Sequence, residues 1–352
     1  MIYQRQLLRK SIIGGGIMSE TNAKYHHLIP RTYLSAWEHG KGTLYVRFLN
    51  KENVIERNKD KIAGVTNYHS IVAGMPIVTV EDADKIFSCL KNLEVHYGDT
   101  IISDNLKLNN IYYDFDNWEI YRKDGTVVSK KKLKSEIDKV KIRDIEELWS
   151  MKYETQWVKV RSKLEDRISN SSDGTIECAN KEYLMKFYTA LDWRSIKSNN
   201  AFNEVWEYLC NEVLHLDEVG IPKNDRELLM LDNTSEEIKH YLLLKFYRQY
   251  LNDSGIIYEH AMENLARTSF HFLVADGVET FSTSDNPAFK FKRLDGKIEG
   301  ILPITPRILM VQGKCSNQDS NFYVSHITDE TVIRYNTEIE KNASEFVIQL
   351  NN

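Results

Sequence analysis

The spacing of hydrophobic and polar residues changes along the chain and predicts different elements in different regions. From 43 to 58, TLYVRFLNKENVIERN places apolar, β-rich stretches on either side of a polar turn at Asn50–Asn53, which predicts two short strands. From 130 to 169 there is no glycine or proline, and apolar residues recur at helical spacing. This region predicts helices with a break near residue 150 and an apolar face of Leu133, Ile137, Val140, Ile145, Leu148, Trp149 and Trp157.

The helical pattern continues to about residue 268. KEYLMKFYTALDWRSIKSNNAFNEVWEYLCNEVL and SEEIKHYLLLKFYRQYLN both predict further helices. NTSEEI, at 233 to 238, predicts a helix start with Thr234 or Ser235 as the N-cap and acids in the first turn. The region from 132 to 268 is therefore expected to be mostly helical.

Strand patterns return in the last part of the chain. VADGVE and RLDGKI each place an Asp-Gly pair between β-rich flanks, which predicts two turns of hairpins. ILPITPRIL, at 301 to 309, predicts a strand whose two prolines favour the edge of a sheet. EIEKNASEFVIQL then predicts a short helix and a final strand.

These elements indicate an α+β fold, in which β-rich N- and C-terminal segments share a sheet and the middle region is mostly helical. We divide the chain into a flexible basic tail or upstream extension at 1–22 and an N-terminal α/β segment at 23–130. A helical region at 131–270 follows. A C-terminal β-rich segment at 271–352 is expected to pack with 23–130.

Composition excludes several classes of protein. Of the 352 residues, 28% are charged and 42% hydrophobic, which is ordinary for a soluble globular protein, and the net charge of -5 gives no general sign of nucleic-acid binding. No apolar run approaches the roughly 18 residues of a membrane span, so no membrane partner is expected. Four cysteines far apart, without a CxxC pair, predict reduced thiols in a cytoplasmic protein: Cys89, Cys178, Cys210 and Cys315.

The first candidate for chemistry is KYHHLIPRTYLSAW, at 24 to 37. Its HHxIP start resembles the opening of HNH-type nucleases, in which one His holds a metal and the following His activates water. The likeness implies that His27 is the catalytic residue and His26 its supporting residue or a metal ligand. Arg31, in the same stretch, is a candidate substrate-binding residue. The structural alternative is a buried, hydrogen-bonded His at the start of an element, where Pro30 sets the turn.

The same likeness calls for an Asn and a further metal-binding His downstream. Asn67 and His69 fall at about the required separation, although no NLxxLCxxCH-like helical segment accompanies them.

The second candidate is TFSTSDNPAFKF, at 280 to 291. Asp285 follows an apolar strand, as a metal ligand or general base would, with Asn286 as a catalytic neighbour and Ser284 as a substrate-binding hydroxyl. The structural alternative is an Asx turn, in which a side chain satisfies the local backbone. In LDWRSIKS, Arg194 is a candidate for binding a phosphate or carboxylate, and the alternative is an ordinary surface residue.

Together these stretches resemble a bacterial family of domains of unknown function, number 4238. Its members carry a His-His-x-x-Pro-x-x-Tyr-Leu start, an Arg-Ser/Thr pair in a mid-chain helix and a late Thr-Ser-Asp-Asn-Pro element. The matching residues are His26, His27, Pro30, Tyr33, Leu34, Trp37, Arg194, Ser195, Ser284, Asp285, Asn286 and Pro287. The resemblance implies that the His pair and the late turn belong to one domain, and it implies no activity.

Two function hypotheses follow. In the first, the chain is a hydrolase or nuclease-like effector acting on a phosphoester in nucleic acid or a nucleotide. One His of the pair would be a base or metal ligand, Asp285 a metal ligand or orienting residue, and Arg194 the anion holder, so a divalent metal is a candidate cofactor. In the second, the same residues bind a ligand or partner without turnover, as in a sensor or accessory subunit.

Overall fold

A computed structural model describes residues 25–171, 174–177, 179–197, 199–215, 219–223, 226, 228, 230–314 and 321–351. The predicted tail at 1–22 lies outside the described residues, as do Cys178 and Cys315. Of the remaining cysteines, Cys210 is buried, Cys89 is half-buried, and both are free thiols.

The described residues form strands in every part of the chain. They are β1 (Tyr25–His27), β2 (Thr43–Phe48), β3 (Val54–Asn58), β4 (Gly64–Thr66), β5 (Leu93–Tyr97), β6 (Thr100–Ile102), β7 (Trp118–Arg122), β8 (Gly174–Glu177), β9 (Thr268–Ala275), β10 (Thr283–Ser284), β11 (Phe289–Lys292), β12 (Ile298–Thr305), β13 (Ile308–Lys314), β14 (Asn321–Ile327) and β15 (Phe346–Gln349). Their sheet orders are β1-β4, β10-β15-β2-β3, β6-β5-β7 and β11-β12-β13-β9-β14-β8.

The α-helices concentrate in the middle of the chain. They are α1 (Arg31–Leu34), α2 (Val80–Ile86), α3 (Asn105–Asn110), α4 (Lys130–Lys139), α5 (Asp144–Trp149), α6 (Thr155–Ser169), α7 (Lys181–Arg194), α8 (Asn200–Tyr208), α9 (Thr234–Leu251), α10 (Gly255–Arg267) and α11 (Asp329–Asn342). Among these described helices, none combines the length and the apolar character that crossing a bilayer requires.

The predicted α+β fold with a shared sheet is confirmed. The last strand, β15, pairs antiparallel with β2 near the start of the chain, and β10 pairs with the other side of β15. The two predicted strands at 43 to 58 are β2 and β3, which pair antiparallel. The N- and C-terminal segments are therefore joined by backbone hydrogen bonds.

The break predicted near residue 150 is a π-helical segment, Ser150–Glu154, between α5 and α6. The predicted apolar face packs into the core: Leu133, Ile137, Ile145, Trp149 and Trp157 are buried. Helical spacing identified this face because each buried residue recurs on one side of its helix.

The predicted N-cap of α9 is wrong by one residue or more. Asn233 is the cap, and its side-chain oxygen accepts the backbone N–H of Glu236 over 2.8 Å, while Thr234 is the first helical residue. Asn, Ser and Thr all cap helices well, so the run Asn233–Ser235 offered several similar starts.

Of the two predicted Asp-Gly hairpins, one is confirmed. Gly296 adopts φ +80° in the turn that joins the antiparallel strands β11 and β12. The turn at Gly277 does not form a hairpin: β9 ends at Ala275, and the N–H groups of Val278 and Glu279, which follow Gly277, donate to the Asp329 carboxylate at the start of α11.

The predicted edge position of the proline-containing strand is wrong. This strand, β12, lies between β11 and β13. Pro303 lies beyond the last residue pair with β11, Phe289 with Ile301, so β11 does not require its missing N–H. The Pro303 carbonyl instead accepts a hydrogen bond of 2.8 Å from the hydroxyl of Tyr33.

The aromatic residues after the His pair anchor the N-terminal segment to the C-terminal one. Besides Pro303, the Tyr33 hydroxyl lies 2.8 Å from the Thr283 hydroxyl, and the Trp37 indole N–H donates to the Phe281 carbonyl over 2.9 Å. Tyr33 and Trp37 are fully buried. These contacts hold β1 at a fixed place against the rest of the fold.

Candidate functional site

Four buried or largely buried polar side chains from distant parts of the chain meet in the interior. His26 comes from β1, His69 from the turn after β4, Glu146 from α5 and Arg194 from the last residue of α7. Antiparallel pairing of β1 with β4 sets His26 opposite Val65, so the turn that follows β4 returns beside His26. Asn67 adopts φ +58° in that turn, a conformation that Asn tolerates better than most residues.

The two imidazoles lie on top of each other. Their rings are 5.8 Å apart and nearly parallel, at 5°, and Nδ1 of His26 accepts the backbone N–H of His69 over 2.8 Å. Nδ1 of His69 lies 2.5 Å from Oε1 of Glu146. Because an ionised carboxylate can only accept, a neutral His69 carries its proton on Nδ1.

The Arg194 guanidinium completes this cluster. Its Nε and Nη2 donate to the His27 carbonyl over 3.1 and 2.8 Å, and Nη2 also donates to Oε1 of Glu146 over 2.7 Å. The guanidinium stacks over Trp149, 4.5 Å from the ring centroid. The surface alternative for Arg194 is therefore wrong, since its side chain is fully buried.

Burial and charge set the protonation of the cluster. Burial lowers the pKa of His69 to about 3; the charge of Arg194 lowers it further, and Glu146 acts in the opposite direction. Burial acts to raise the pKa of Glu146, but Arg194 and His69 together hold that pKa below its usual range. At neutral pH, His69 is neutral and Glu146 is ionised.

The ligand atoms of His26, His69 and Glu146 all lie within 4.8 Å of one another. Nδ1 of His26, for example, is 4.0 Å from Oε1 of Glu146. Two imidazoles and one carboxylate are a donor set of catalytic zinc sites, which keep a fourth position for water or substrate. Within the described ranges, this is the one group of three or more such side chains with metal-binding spacing.

The ring of His27 lies apart from this group, because successive side chains of a strand point to opposite faces. It packs edge-on against Tyr25, with centroids 5.0 Å apart. Burial lowers the pKa of His27 to about 4, and nearby Arg31 adds to this effect. Only the backbone carbonyl of His27 touches the cluster, through Arg194.

The predicted turn at 284–287 is not part of the cluster of His26, His69 and Glu146. It packs against the residues that follow α11. The Asp285 carboxylate accepts the backbone N–H groups of Ser344 and Glu345 over 2.9 and 2.6 Å. The Ser284 hydroxyl accepts the N–H of Asn286 over 3.1 Å, as in a side-chain-capped turn. The structure does not bring Asp285 into the group of His26, His69 and Glu146.

Arg31 also lies apart from the cluster. Its side chain is 48% exposed and forms an ion pair of 3.1 Å with Asp60. It is available to solvent, whereas Nε and Nη2 of Arg194 donate to protein groups.

A family model for proteins of unknown function, DUF4238, matches residues 25–352. The chain belongs to the DUF4238 family. This confirms the family that the sequence resembles, and the match covers every described residue of the candidate site. No curated protein and no solved structure matches the chain.

In this DUF4238 protein, sequence reasoning missed Glu146. The residue lies in DIEELW among other acids of α5, and nothing local separates it from its neighbours. His69 carried a signal, because the nuclease-like start called for a second His downstream. It lies in a turn rather than on a helix, so the contact with His26 comes from strand pairing instead of an HNH-type unit.

Proposed function

We propose that this DUF4238 protein binds a divalent metal ion through His26, His69 and Glu146, and uses it to hydrolyse a phosphoester in a nucleotide or nucleic acid. The observation that carries the proposal is the convergence of these three ligand atoms within 4.8 Å. A bound metal would supply a Lewis acid and lower the pKa of a metal-bound water. The protein residues hold the donor set in place.

The protonation states support a metal site better than a metal-free general base. A general base works best when its pKa is near the operating pH, and a pKa of about 3 makes His69 a weak proton acceptor. A metal ligand needs a lone pair: ionised Glu146 offers its oxygens, and neutral His69 offers Nε2, because its Nδ1 carries the proton toward Glu146. Trp149 and Tyr247 pack against the Arg194 guanidinium, 4.5 and 5.8 Å from their ring centroids.

The test is metal binding followed by activity. The purified full chain, stripped with chelator, is titrated with Zn²⁺ and with Mn²⁺ by calorimetry, and hydrolysis of bis(p-nitrophenyl) phosphate is measured with each metal. We expect one ion per chain, and we expect His69→Ala to weaken metal affinity by about tenfold or more. Activity should require the metal and fall with the same variant.

His96 provides a matched control. It forms a contact of 2.6 Å with Glu94 on an exposed strand, so it reproduces the His-carboxylate pair outside the cluster. His96→Ala should bind metal like the unchanged protein. The absence of stoichiometric binding, or equal binding by His69→Ala, would overturn the metal site, and metal binding without phosphoester hydrolysis would overturn the enzymatic part.

A non-catalytic role for the same residues is favoured by a different observation. Arg194 already balances the charge of Glu146 over 2.7 Å, so the cluster is neutral without a metal, and a divalent cation would add charge to a buried place. In this case the cluster stabilises the packing of β1, α5 and α7 against one another, and the protein binds a ligand or partner without turnover.

A double-mutant cycle separates the two roles. If the cluster is structural, Arg194→Met should cost about 3–5 kcal/mol of unfolding free energy because it leaves Glu146 unpaired, and adding Glu146→Gln should recover part of that loss. Metal should then leave the melting temperature unchanged. If the metal role is correct, saturating metal should raise the melting temperature of the unchanged protein and not that of His69→Ala.

A further inference from the structure

A cavity lies apart from the His-Glu cluster. It has a volume of about 730 Å³ and is formed by α7, α8, α9, α10 and the sheet strands β11 to β13. Cavities of roughly 300–1,000 Å³ accommodate small-molecule ligands and cofactors. Partly exposed aromatic rings line it: Trp193, Phe202, Phe246 and Phe291.

Two buried polar groups at this cavity have no hydrogen-bond partner among the described residues. They are the hydroxyl of Tyr188 and Nε2 of Gln312. Tyr188 is 2% exposed and Gln312 is 9% exposed. Both groups can donate a hydrogen bond, and an unpaired buried donor costs about 1–3 kcal/mol. A ligand with an acceptor atom would remove that cost.

The Tyr188 hydroxyl and the side-chain amide of Gln312, through its Oε1, both approach Gly300, which pairs with Gln312 across the sheet. A Cβ atom at Gly300 would lie 2.9 Å from the Tyr188 hydroxyl and 3.1 Å from Oε1 of Gln312. Because Gly300 has no Cβ atom, the space above it stays open for the Tyr188 hydroxyl and the Gln312 amide.

Asp192 adds the complementary chemistry. It is buried, it lines the same cavity, and one of its carboxylate oxygens accepts a hydrogen bond of 2.6 Å from Asn199. A carboxylate accepts further hydrogen bonds, so a ligand N–H group would suit it. Lys290 and Lys292 line the cavity from β11, are exposed, and offer positive charge at its entrance.

We propose that this cavity binds a mononucleotide, whose base lies between the aromatic walls and whose phosphate contacts Lys290 and Lys292. A nucleobase presents an acceptor and an N–H donor on one edge, which matches the donors of Tyr188 and Gln312 and the carboxylate of Asp192. Flat rings stack on aromatic side chains with about 1–3 kcal/mol per base. This site is independent of the metal cluster and requires no turnover.

The test is calorimetric titration of the full chain with AMP, GMP, CMP and UMP, each compared with its nucleoside. We expect at least one nucleotide to bind one per chain with a dissociation constant below about 1 mM, and its nucleoside to bind at least about tenfold more weakly. Tyr188→Phe and Gln312→Met should each weaken that nucleotide about tenfold, because each removes one donor and little volume. Lys290→Met should weaken the nucleotide and leave the nucleoside unchanged.

Two control variants match these changes. Tyr121→Phe removes a hydroxyl that contacts Glu119 at the surface, and Lys297→Met removes a lysine beside Asp295, so both should bind like the unchanged protein. Melting curves verify that each variant is folded. The proposal is overturned if none of the four nucleotides binds, if nucleosides bind as tightly as nucleotides, or if Tyr188→Phe and Gln312→Met bind normally. Failure here would leave the metal titration of His69 unaffected, since the two sites share no residue.

Discussion

The hydroxyl of Ser195 donates a hydrogen bond of 2.7 Å to Oδ1 of Asn286, and both residues are buried. Ser195 directly follows Arg194 at the end of α7, and Asn286 belongs to the turn between β10 and β11. The side-chain amide of Asn342 donates to the Asn286 carbonyl over 3.3 Å. The mid-chain Arg-Ser pair and the late Ser-Asp-Asn-Pro turn are therefore joined directly.

Replacing Ser195 should test how much this contact stabilises the fold. Ser195→Ala leaves the Asn286 oxygen buried without that donor, and we expect a loss of about 1–3 kcal/mol in unfolding free energy. Urea denaturation measures the loss. Ser254→Ala is the control, because its hydroxyl donates to the Gln249 carbonyl at an exposed site and should cost far less. Equal losses for the two variants would contradict a special role for Ser195.

The two histidines of the opening motif should differ in stability. His26→Ala leaves the buried N–H of His69 without its acceptor, and about 1–3 kcal/mol should be lost. His27→Ala retains the backbone carbonyl that binds Arg194 and should cost less. Melting and metal titration of both variants check this. A metal affinity that falls in His27→Ala but not in His26→Ala would restore His27 as the chemical residue.

Asp285→Asn should have a small effect on stability and none on metal affinity. The amide retains one oxygen, so one of the two N–H groups at Ser344 and Glu345 loses its acceptor, with a cost of about 0.5–1.5 kcal/mol. Chemical denaturation and calorimetric metal titration of the variant measure both quantities. A strong loss of metal affinity would place Asp285 in the metal site after all.

Asp192 should make stability depend on pH. Burial raises its pKa to about 6, above the ordinary value of 3.8 for an aspartate, so between these values the folded protein holds a proton that the unfolded chain has lost. Its contribution to stability is therefore present below about pH 4 and declines as the pH rises to above 6. Compared with the unchanged protein, Asp192→Asn should gain melting temperature from pH 4.5 to pH 8.

The cavity is also lined by other charged or titratable groups, which are Glu204, His260, Lys290 and Lys292. They are present in both proteins, so their own titration cancels in the difference between the two melting temperatures. A difference that stays constant across this pH range would show that Asp192 titrates normally.

The sequence by itself determined the local elements. The helices from 130 to 169 and the Asp295-Gly296 turn follow from residues that are neighbours in sequence, since helical period and positive φ are properties of short segments. It also determined that the two ends of the chain share β-structure. Where several residues could serve equally well locally, as at the N-cap Asn233, the exact position did not follow.

The tertiary structure decided which side chains meet. The contact between His69 and Glu146 spans 77 residues, and it depends on how β1, β4 and α5 pack rather than on any local pattern. It also decided that His26 rather than His27 faces the cluster, because the register of β1 with β4 sets which side of the strand is buried. Burial of Arg194 followed in the same way, since only the assembled core supplies the His27 carbonyl and Glu146 as its partners.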